Sequence, residues 1–518
     1  MTDNNNFKLR MQQATSDNRR IAKNTLMLYM RMFLVMGVSL FTSREILRIL
    51  GVEDFGIYNV VAGIVVLFSF INAAMTASTQ RFLNFELGRG NTDEARKIFA
   101  ASLNIYISIV IVFIILAETV GLWFLNKYIN IPPGRMSAAN WVYQATIVAT
   151  ALSFVRTPYN AAIIAYERMS FYAYTSIVEV VLKLVIIYIL SVFTDKLIGY
   201  GWLLSAITLI MLIIYVTFCR KAFIICRGHT FEYDQRRYLS LISFSGWSLF
   251  GSLANVGASQ GVNILLNIFL GVAVNAAIGV ANQVNAAVYS FVSNFQTAFA
   301  PQIVKTYASG LKETFLQLLN NTARYSFLLL FVISYPIFME CEYILSLWLV
   351  DVPALAPTFT RLILLANMFD ALSGPLWCAV QATGKIKVYQ LIVSVLFIST
   401  LPLCYVALRA GFTASMVFGI KVLISAAIYV FRFLYVRQQL NVSLRHFITT
   451  VMSRIALIVA VSAGVGVAIN WYNPNDVICI ALYVFSATVL SVIIGLNQYE
   501  RKQIIVLAAN KLHIKKNF

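Results

Sequence analysis

The sequence predicts an all-α, polytopic membrane protein with about fourteen transmembrane helices. Hydrophobic residues make up 60% of the 518 positions and charged residues only 12%, whereas a soluble domain is about half apolar and a quarter charged. Apolar stretches of about twenty residues recur along the chain, and a helix of that length spans the hydrocarbon of a bilayer. The bilayer must therefore cover most of this apolar surface.

Each apolar stretch defines one expected helix. The predicted spans are 24–43, 58–78, 99–120, 139–157, 171–193, 198–218, 240–268, 274–298, 325–349, 356–380, 389–408, 412–434, 449–470 and 477–497. The seventh and eighth spans are the most polar, so hydropathy alone gives them the weakest support.

The loops between these spans differ sharply in basic residues. With the termini counted on the first side, the two sets of alternating loops hold 28 and 6 Lys and Arg residues. Because short basic loops stay in the cytoplasm, we expect both termini to be cytoplasmic. The first twenty residues are polar, so we expect no cleavable signal peptide. Every loop is too short to fold as a catalytic domain.

Composition and motifs argue against several classes of function. The formal net charge is +19, but the basic residues lie in the loops where topology places them, so we expect no nucleic-acid partner. The six cysteines form no CxxC pair, and the three histidines lie in basic loops or the tail. We therefore expect no metal site and no cofactor. The sequence also lacks a nucleotide-binding loop and the pattern of a catalytic triad.

The two halves of the chain resemble each other. Gly51 and Gly271 are 220 residues apart, as are Gly90 and Gly310. A second series shares an offset of 217 residues, namely Pro158/Pro375, Ala162/Ala379, Ala165/Ala382, Arg168/Lys385 and Tyr172/Tyr389. Five matches at equivalent helix connections favour a repeat over chance. Two parallel six-helix repeats have a pseudo-two-fold axis along the membrane normal, and transport sites lie between such halves.

This repeat divides the chain into seven parts. They are a cytoplasmic N-terminal segment (1–23), an N-lobe (24–218), a cytoplasmic linker (219–239), a C-lobe (240–434), a cytoplasmic loop (435–448), a final helix pair (449–497) and a basic cytoplasmic tail (498–518).

Several short motifs are similar to those of a known family. They are Thr42-Ser-Arg44, Leu50-Gly51-Val-Glu-Asp54-Phe-Gly56-Ile-Tyr58, Gln80-Arg81-Phe82, Gly279-Val-Ala-Asn-Gln283, Pro301-Gln302 and Tyr307-Ala308. In these motifs, and in its layout of six, six and two helices, the chain resembles the Wzx-like polysaccharide flippases of the multidrug/oligosaccharidyl-lipid/polysaccharide (MOP) exporter superfamily.

The resemblance implies a MATE-like V of two lobes around a central cavity, with alternating access. It implies that an undecaprenyl-pyrophosphate-linked oligosaccharide crosses the bacterial inner membrane towards the periplasm, for O-antigen, capsule or exopolysaccharide synthesis. The implied partners are this lipid-linked substrate, membrane lipid, and a polysaccharide polymerase with its export machinery, and transport could be coupled to H⁺ or Na⁺. Such cavities are often cationic, which suits a pyrophosphate.

A few charges fall inside the predicted spans, where each costs about 3 kcal/mol or more. The candidate functional charges among them are Arg31, Glu179, Lys183, Arg361, Asp370 and Lys421. The cations are candidate ligands of the pyrophosphate. Arg31 and Arg361 could instead snorkel to a helix end. Glu179 and Lys183, four residues apart, could form an internal pair. Asp370 is a candidate H⁺ or Na⁺ site, with Glu179 as the second, or it could pair with a cation on a neighbouring helix.

The seventh and eighth spans also carry polar side chains at helical spacing. The set is Asn255, Ser259, Asn263, Asn267, Asn282, Gln283, Asn285, Tyr289 and Gln296. Such a face avoids lipid. Asn255, Asn263, Asn282 and Gln283 are therefore candidate sugar ligands, although hydrogen bonds between helices would also explain polar faces of this kind.

Other functions remain open at this point. A cation-coupled multidrug exporter of the same superfamily would share the fold, but usually has twelve helices and a less cationic cavity. A membrane glycosyltransferase or polymerase would usually need a larger external loop or an acidic catalytic motif. A scaffold without transport activity is the remaining alternative.

Overall fold

The computed structural model describes residues 24–501, apart from positions 39–40, 43–44, 47, 52–53, 55–56, 59–60, 62–68, 129–130, 132–133, 229–233, 271, 350–351, 441–442, 473–474 and 499. These described residues form helices and turns and no β-strand, so the all-α prediction is confirmed. The predicted N-terminal segment and most of the basic tail lie outside them.

The chain forms two compact units. The first comprises 1–253 and 298–311, and the second comprises 254–297 and 312–518. The division runs through two long helices rather than through the loop at 219–239, and the predicted lobe boundaries stay a prediction. The helices of the chain's first half are α1 (Asn24–Val38), α2 (Ser69–Gly88), α3 (Thr92–Leu116), α4 (Leu122–Tyr128), α5 (Met136–Ala165), α6 (Met169–Ile189) and α7 (Lys196–Ala222).

Two long helices contribute to both units, and the remaining helices belong to the second. In order they are α8 (Gln235–Leu270), α9 (Val272–Ala308), α10 (Lys312–Met339), α11 (Cys341–Trp348), α12 (Ala356–Thr383), α13 (Lys387–Arg409), α14 (Ala414–Leu440), α15 (Leu444–Phe447), α16 (Ser453–Tyr472) and α17 (Asp476–Leu490).

Within the described residues, eleven helical segments are long and apolar enough to cross a membrane. The helix α1 is shorter, and the polar α9 is not among the eleven. The chain is therefore a multi-pass membrane protein. The exact count of fourteen stays a prediction, since the second predicted span includes residues 62–68, outside the described residues. The ninth span, predicted as one helix over 325–349, is wrong, because Glu340 separates α10 from α11.

Small and hydroxyl side chains let the helices of the first unit approach closely. Ser205 on α7 donates a hydrogen bond to the backbone carbonyl of Ala145 on α5, with an O···O distance of 2.6 Å. A Cβ atom placed on Gly201 would lie 3.4 Å from the Cβ of Ala145. Membrane helices commonly pack through such residues, because lipid offers little hydrophobic drive for their association.

The end of α9 packs against the ends of α2 and α5 inside the first unit. A Cβ atom on Gly88 would lie 2.6 Å from the carbonyl oxygen of Lys305, so glycine is required there. Glu167 has φ = +57°, and its buried carboxylate accepts hydrogen bonds from Gln302 Nε2 at 2.6 Å and Lys305 Nζ at 2.7 Å. Gly88 also faces Ala308, which is 220 residues later, the offset of the predicted repeat.

The final helix pair belongs to the second unit. Tyr335 on α10 donates a hydrogen bond to the carbonyl of Ser462 on α16 at 2.5 Å. Gly466, one turn further along α16, leaves room for the Tyr335 ring, since a Cβ there would lie 2.7 Å from the Tyr335 hydroxyl. At the end of the described chain, Glu500 forms an ion pair with the buried Arg324 of α10.

An ion-pair cluster links three separate chain segments at one end of the first unit, each lying between two helices. Arg135, just before α5, donates to Asp54 Oδ1 at 2.9 Å and to Asp195 Oδ2 at 2.8 Å. Asp195 also caps α7, because its Oδ1 accepts the backbone N–H groups of Leu197 and Ile198. Burial acts to raise the pKa of Asp195, but these hydrogen bonds outweigh it, and its pKa lies below the usual value of an aspartate.

We expect this cluster to make the protein acid-labile. A carboxylate with a lowered pKa stabilises the fold above its unfolded-state pKa of about 3.9, and that contribution disappears as the pH falls through the lowered pKa. The thermal unfolding midpoint in detergent should therefore drop as the pH falls below about 4. Asp195→Asn, which keeps the helix cap but loses the charge, should show a smaller drop over the same pH range. An identical drop in the variant would contradict the assignment.

Candidate functional site

One face of the membrane-spanning helix α6, in the first unit, carries a cluster of charges. Tyr172, Ser176, Glu179 and Lys183 follow one another at intervals of three or four residues, which places them on one side of the helix. Arg31 of α1 and Arg156 of α5 contact this side. We call these six residues the α6 cluster.

Glu179 is the centre of the α6 cluster. Its Oε1 accepts a hydrogen bond from Lys183 Nζ at 3.0 Å, and its Oε2 accepts one from Arg156 Nη1 at 3.3 Å. The side chains of Arg156, Glu179 and Lys183 are 23%, 28% and 40% exposed, respectively. The predicted internal pair of Glu179 and Lys183 therefore forms, but it keeps an accessible side.

Arg31 extends the cluster along the same helix face. Its Nε donates a hydrogen bond to Ser176 Oγ at 2.8 Å, and its guanidinium carbon lies 4.5 Å from the centre of the Tyr172 ring. Both contacts hold the side chain inside the bundle rather than at a helix end. The α6 cluster thus contains three cations and one carboxylate, of which Arg156 and Lys183 contact Glu179 directly, so the cluster carries a net positive charge.

Arg156 was not among the site residues predicted from the sequence. The apolar stretch suggested a helix ending at residue 157, which would leave this arginine at the helix end. The helix α5 instead continues to Ala165, so Arg156 lies more than two turns inside it. Its guanidinium also lies 5.4 Å from the centre of the Tyr215 ring on α7. Hydropathy did not predict that the helix continues past residue 157, because Pro158 and the polar residues beside it interrupt the apolar stretch.

A second group of charges lies on α12 and α14 in the second unit. Lys421 and Arg432 of α14 both lie near enough to Asp370 of α12 for their positive charges to interact with its carboxylate. Lys421 Nζ lies 5.2 Å from the Phe418 ring, and the Arg432 guanidinium lies 5.9 Å from the Tyr389 ring. The predicted helix ended at residue 434, which placed Arg432 at the helix end, whereas α14 extends to Leu440 and Arg432 lies inside it.

This second group, which we call the Asp370 group, has an excess of cations. Lys421 and Arg432 are three turns apart on α14, and therefore on a similar side of the helix. The Nε of Arg432 is buried, and no described residue accepts a hydrogen bond from it. The alternative that Asp370 faces a cation of a neighbouring helix thus matches the observed surroundings.

The amide residues of α8 and α9 divide into two kinds. Asn285 accepts a hydrogen bond from Asn367 on α12 at 2.7 Å, and Gln296 fits against Gly374, where a Cβ would lie 2.0 Å from Gln296 Nε2. These two amides serve packing between α9 and α12. In contrast, the candidate sugar ligands Asn255, Asn282 and Gln283 are exposed.

Two further predicted residues have local partners. Asn263 is partly exposed and donates to Gln260 Oε1 at 3.3 Å. Arg361 donates to Glu342 Oε1 at 2.8 Å and to the carbonyl of Phe338 at 2.8 Å. Because Arg361 holds the corner between α10 and α11 together, its contacts favour a structural role over substrate binding. The side chain of Asn267 lies outside the described residues.

Comparison with known proteins identifies the fold. No protein-family model and no curated protein sequence matches the chain. Among solved structures, the Vibrio cholerae MATE transporter VcmN in its bent form is 15% identical, with a TM-score of 0.68 over 83% of this chain and 98% of that chain. A MOP superfamily transporter from Pyrococcus furiosus, described with a binding pocket of reversed polarity, is 12% identical, with a TM-score of 0.66 over 81% of this chain and 96% of that chain.

A third solved structure extends the same pattern. The MATE transporter ClbM, in complex with Rb⁺, is 16% identical, with a TM-score of 0.64 over 82% of this chain and 96% of that chain. The fold of this protein is therefore that of the MATE transporters of the MOP superfamily.

Proposed function

We propose that the protein carries a lipid-linked oligosaccharide, joined to a polyprenyl chain by a diphosphate, across the bacterial inner membrane from the cytoplasmic to the periplasmic leaflet. The observation that supports this best is the α6 cluster, in which Arg156 and Lys183 bind Glu179 and Arg31 binds Ser176 on the same helix face. Two six-helix lobes that alternate in access would expose such charges to each side in turn.

The chemistry of a diphosphate explains why cations would be placed there. A diphosphate carries negative charge that must be compensated when it leaves water, and Arg and Lys donate strong charge-assisted hydrogen bonds to phosphate oxygens. Lys421 and Arg432 of the Asp370 group provide a second cationic excess. We propose that each group contacts the diphosphate during its passage, while Asn255, Asn263, Asn282 and Gln283 contact sugar hydroxyls.

A cation-coupled multidrug exporter is the second candidate. The embedded carboxylates Glu179 and Asp370 favour it, since a carboxylate inside the membrane can bind H⁺, Na⁺ or a cationic drug. The likeness to solved MATE structures, one of them named as a multidrug resistance transporter, also suits this candidate. In either case the protein would act as a transporter rather than as an enzyme.

One reconstitution experiment separates the two candidates. Proteoliposomes would be loaded with a fluorescent polyprenyl-diphosphate oligosaccharide in one arm, and tested for uptake of a fluorescent organic cation in the other. We expect the protein to bring the lipid to the face where an impermeant quencher reaches it, with no uptake of the cation under a H⁺ or Na⁺ gradient. Gradient-driven cation uptake without movement of the lipid would reject the flippase proposal in favour of the exporter.

Orientation can be tested in cells. The excess of basic residues predicts that 219–239 faces the cytoplasm and the α6–α7 connection faces the periplasm. In a cysteine-free background, Thr194→Cys should react with an impermeant thiol reagent in intact cells, whereas Gln235→Cys should react only after permeabilisation. Both positions are exposed, and Thr194 spares the Asp195 cap. The opposite labelling pattern would show that the predicted orientation is wrong.

A further inference from the structure

A cavity of about 350 Å³ lies beside the C-terminal end of α7 in the first unit. Its volume is within the range of sites that bind small molecules or parts of lipids. Its walls come from α3, α5, the end of α7 and the short turn that follows. The lining residues are Phe99, Ala100, Leu103, Tyr159, Arg220, Cys226, Arg227 and Gly228.

One end of the cavity is basic. Arg227 donates to the carbonyls of Arg220 at 3.0 Å and Lys221 at 2.6 Å, so the end of α7 fixes its guanidinium. Arg220 lies beside the Tyr159 hydroxyl. Arg96 approaches Gly228, and its Nε is buried with no hydrogen-bond partner among the described residues. Three guanidinium groups therefore converge on this end.

The basic end has no neutralising carboxylate in its described wall. None of the lining residues is acidic. Glu94, two residues before Arg96, accepts a hydrogen bond from Arg237 Nε at 2.8 Å and is thereby engaged elsewhere. The positive charge is thus available to an external anion.

The rest of the cavity is apolar. Phe99 and Tyr159 pack edge to face, with ring centres 5.2 Å apart, and Leu103 and Ala100 continue the same wall. Ile224, in the turn after α7, is 66% exposed. A basic end next to apolar walls and an exposed isoleucine matches an amphiphile with an anionic head group, rather than a free anion.

We propose that this cavity binds the phosphate head group of an anionic membrane phospholipid, with the start of an acyl chain along Phe99 and Leu103. Guanidinium groups suit a phosphodiester, because they offer paired donors of fixed geometry. Four of the lining residues belong to the segment 219–239. The basic residues predict that this segment faces the cytoplasm, where anionic lipids attract clustered Arg and Lys. This lipid site is separate from the α6 cluster and does not depend on the proposed substrate.

Native mass spectrometry of the delipidated, detergent-purified protein tests the proposal. The protein would be titrated with phosphatidylglycerol and, separately, with phosphatidylcholine of the same acyl chains. We expect phosphatidylglycerol to bind more tightly. Arg220→Gln combined with Arg227→Gln should weaken phosphatidylglycerol binding by about thirtyfold, since each basic residue near the surface contributes about 1 kcal/mol. Binding of phosphatidylcholine should change little.

Two further variants exclude simpler explanations. Lys221→Gln combined with Arg236→Gln removes the same charge from exposed positions outside the cavity, and it should leave phosphatidylglycerol binding within about twofold of the wild type. Ala100→Leu, which fills the cavity without changing charge, should also weaken binding. Monodisperse gel filtration would confirm that each variant is folded.

Three results would overturn the proposal. The first is equal weakening by the control pair, which would indicate general surface electrostatics. The second is equal affinity of the wild type for both lipids. The third is calorimetric binding of inorganic phosphate or glycerol 3-phosphate that is lost in the Arg220/Arg227 double variant while phosphatidylglycerol binding is retained, which would make the site one for a soluble phosphate.

Discussion

Reversing the charge of Arg156 should reduce transport of a polyprenyl-diphosphate lipid by about 30-fold or more, because losing a desolvated, charge-assisted contact costs about 2–5 kcal/mol. Arg156→Glu would also place a second carboxylate next to Glu179, its present partner. Arg31→Glu, Lys183→Glu and Lys421→Glu should act in the same direction. The measurement is the initial rate of lipid translocation in proteoliposomes, normalised to the amount of protein inserted.

Two matched variants make this prediction specific. Lys183→Arg keeps the charge and should be milder than Lys183→Glu, although not neutral, because guanidinium and ammonium groups differ in shape. Lys312→Glu reverses an exposed charge at the start of α10, outside both charge groups, and should transport at the wild-type rate. If Arg156→Glu and the three related variants insert normally and transport fully, the cations have a structural role and the cationic mechanism is wrong.

Hydropathy predicted the course of the apolar helices because the bilayer sets their length. The spans predicted over 139–157, 356–380 and 389–408 are all inside α5, α12 and α13. It did not predict where helices end, since a helix can continue past the hydrocarbon until a cap stops it. The helix α12, for example, ends at Thr383, where Gly384 with φ = +75° caps it. Nor did it detect the break at Glu340, which interrupts an otherwise apolar stretch.

Because hydropathy does not locate helix ends, it also predicted only part of the site. Lys183 and Lys421 were recognised because each lies in the middle of an apolar stretch, where a charge is costly. Arg156 and Arg432 were missed because each lies beside the predicted end of its span, where a basic residue is ordinary, whereas α5 and α14 continue well beyond those ends. The partner of Arg31 could not be predicted either, because Ser176 is 145 residues away in sequence.

The ion pair between Arg324 and Glu500 has the largest expected effect on stability. Arg324 is 2% exposed, and its Nη2 lies 2.5 Å from Glu500 Oε1. Tyr325 also donates its hydroxyl to Glu500 at 2.6 Å, and the other Glu500 oxygen accepts the backbone N–H of Asn497. This carboxylate therefore ties the end of the final helix pair to α10. Removing it would leave a guanidinium buried without its charge partner.

We expect Glu500→Gln to lower the free energy of unfolding in mixed detergent by about 3–5 kcal/mol, the usual cost of breaking a buried pair. Glu342→Gln is the matched control, because it breaks the Arg361 pair at a carboxylate that is 63% exposed, and such pairs contribute about 0–1 kcal/mol. Arg324→Met combined with Glu500→Leu removes both charges and should recover much of the loss. If Glu500→Gln costs no more than Glu342→Gln, or if the double variant is less stable than Glu500→Gln, the buried pair does not hold the final helices in place.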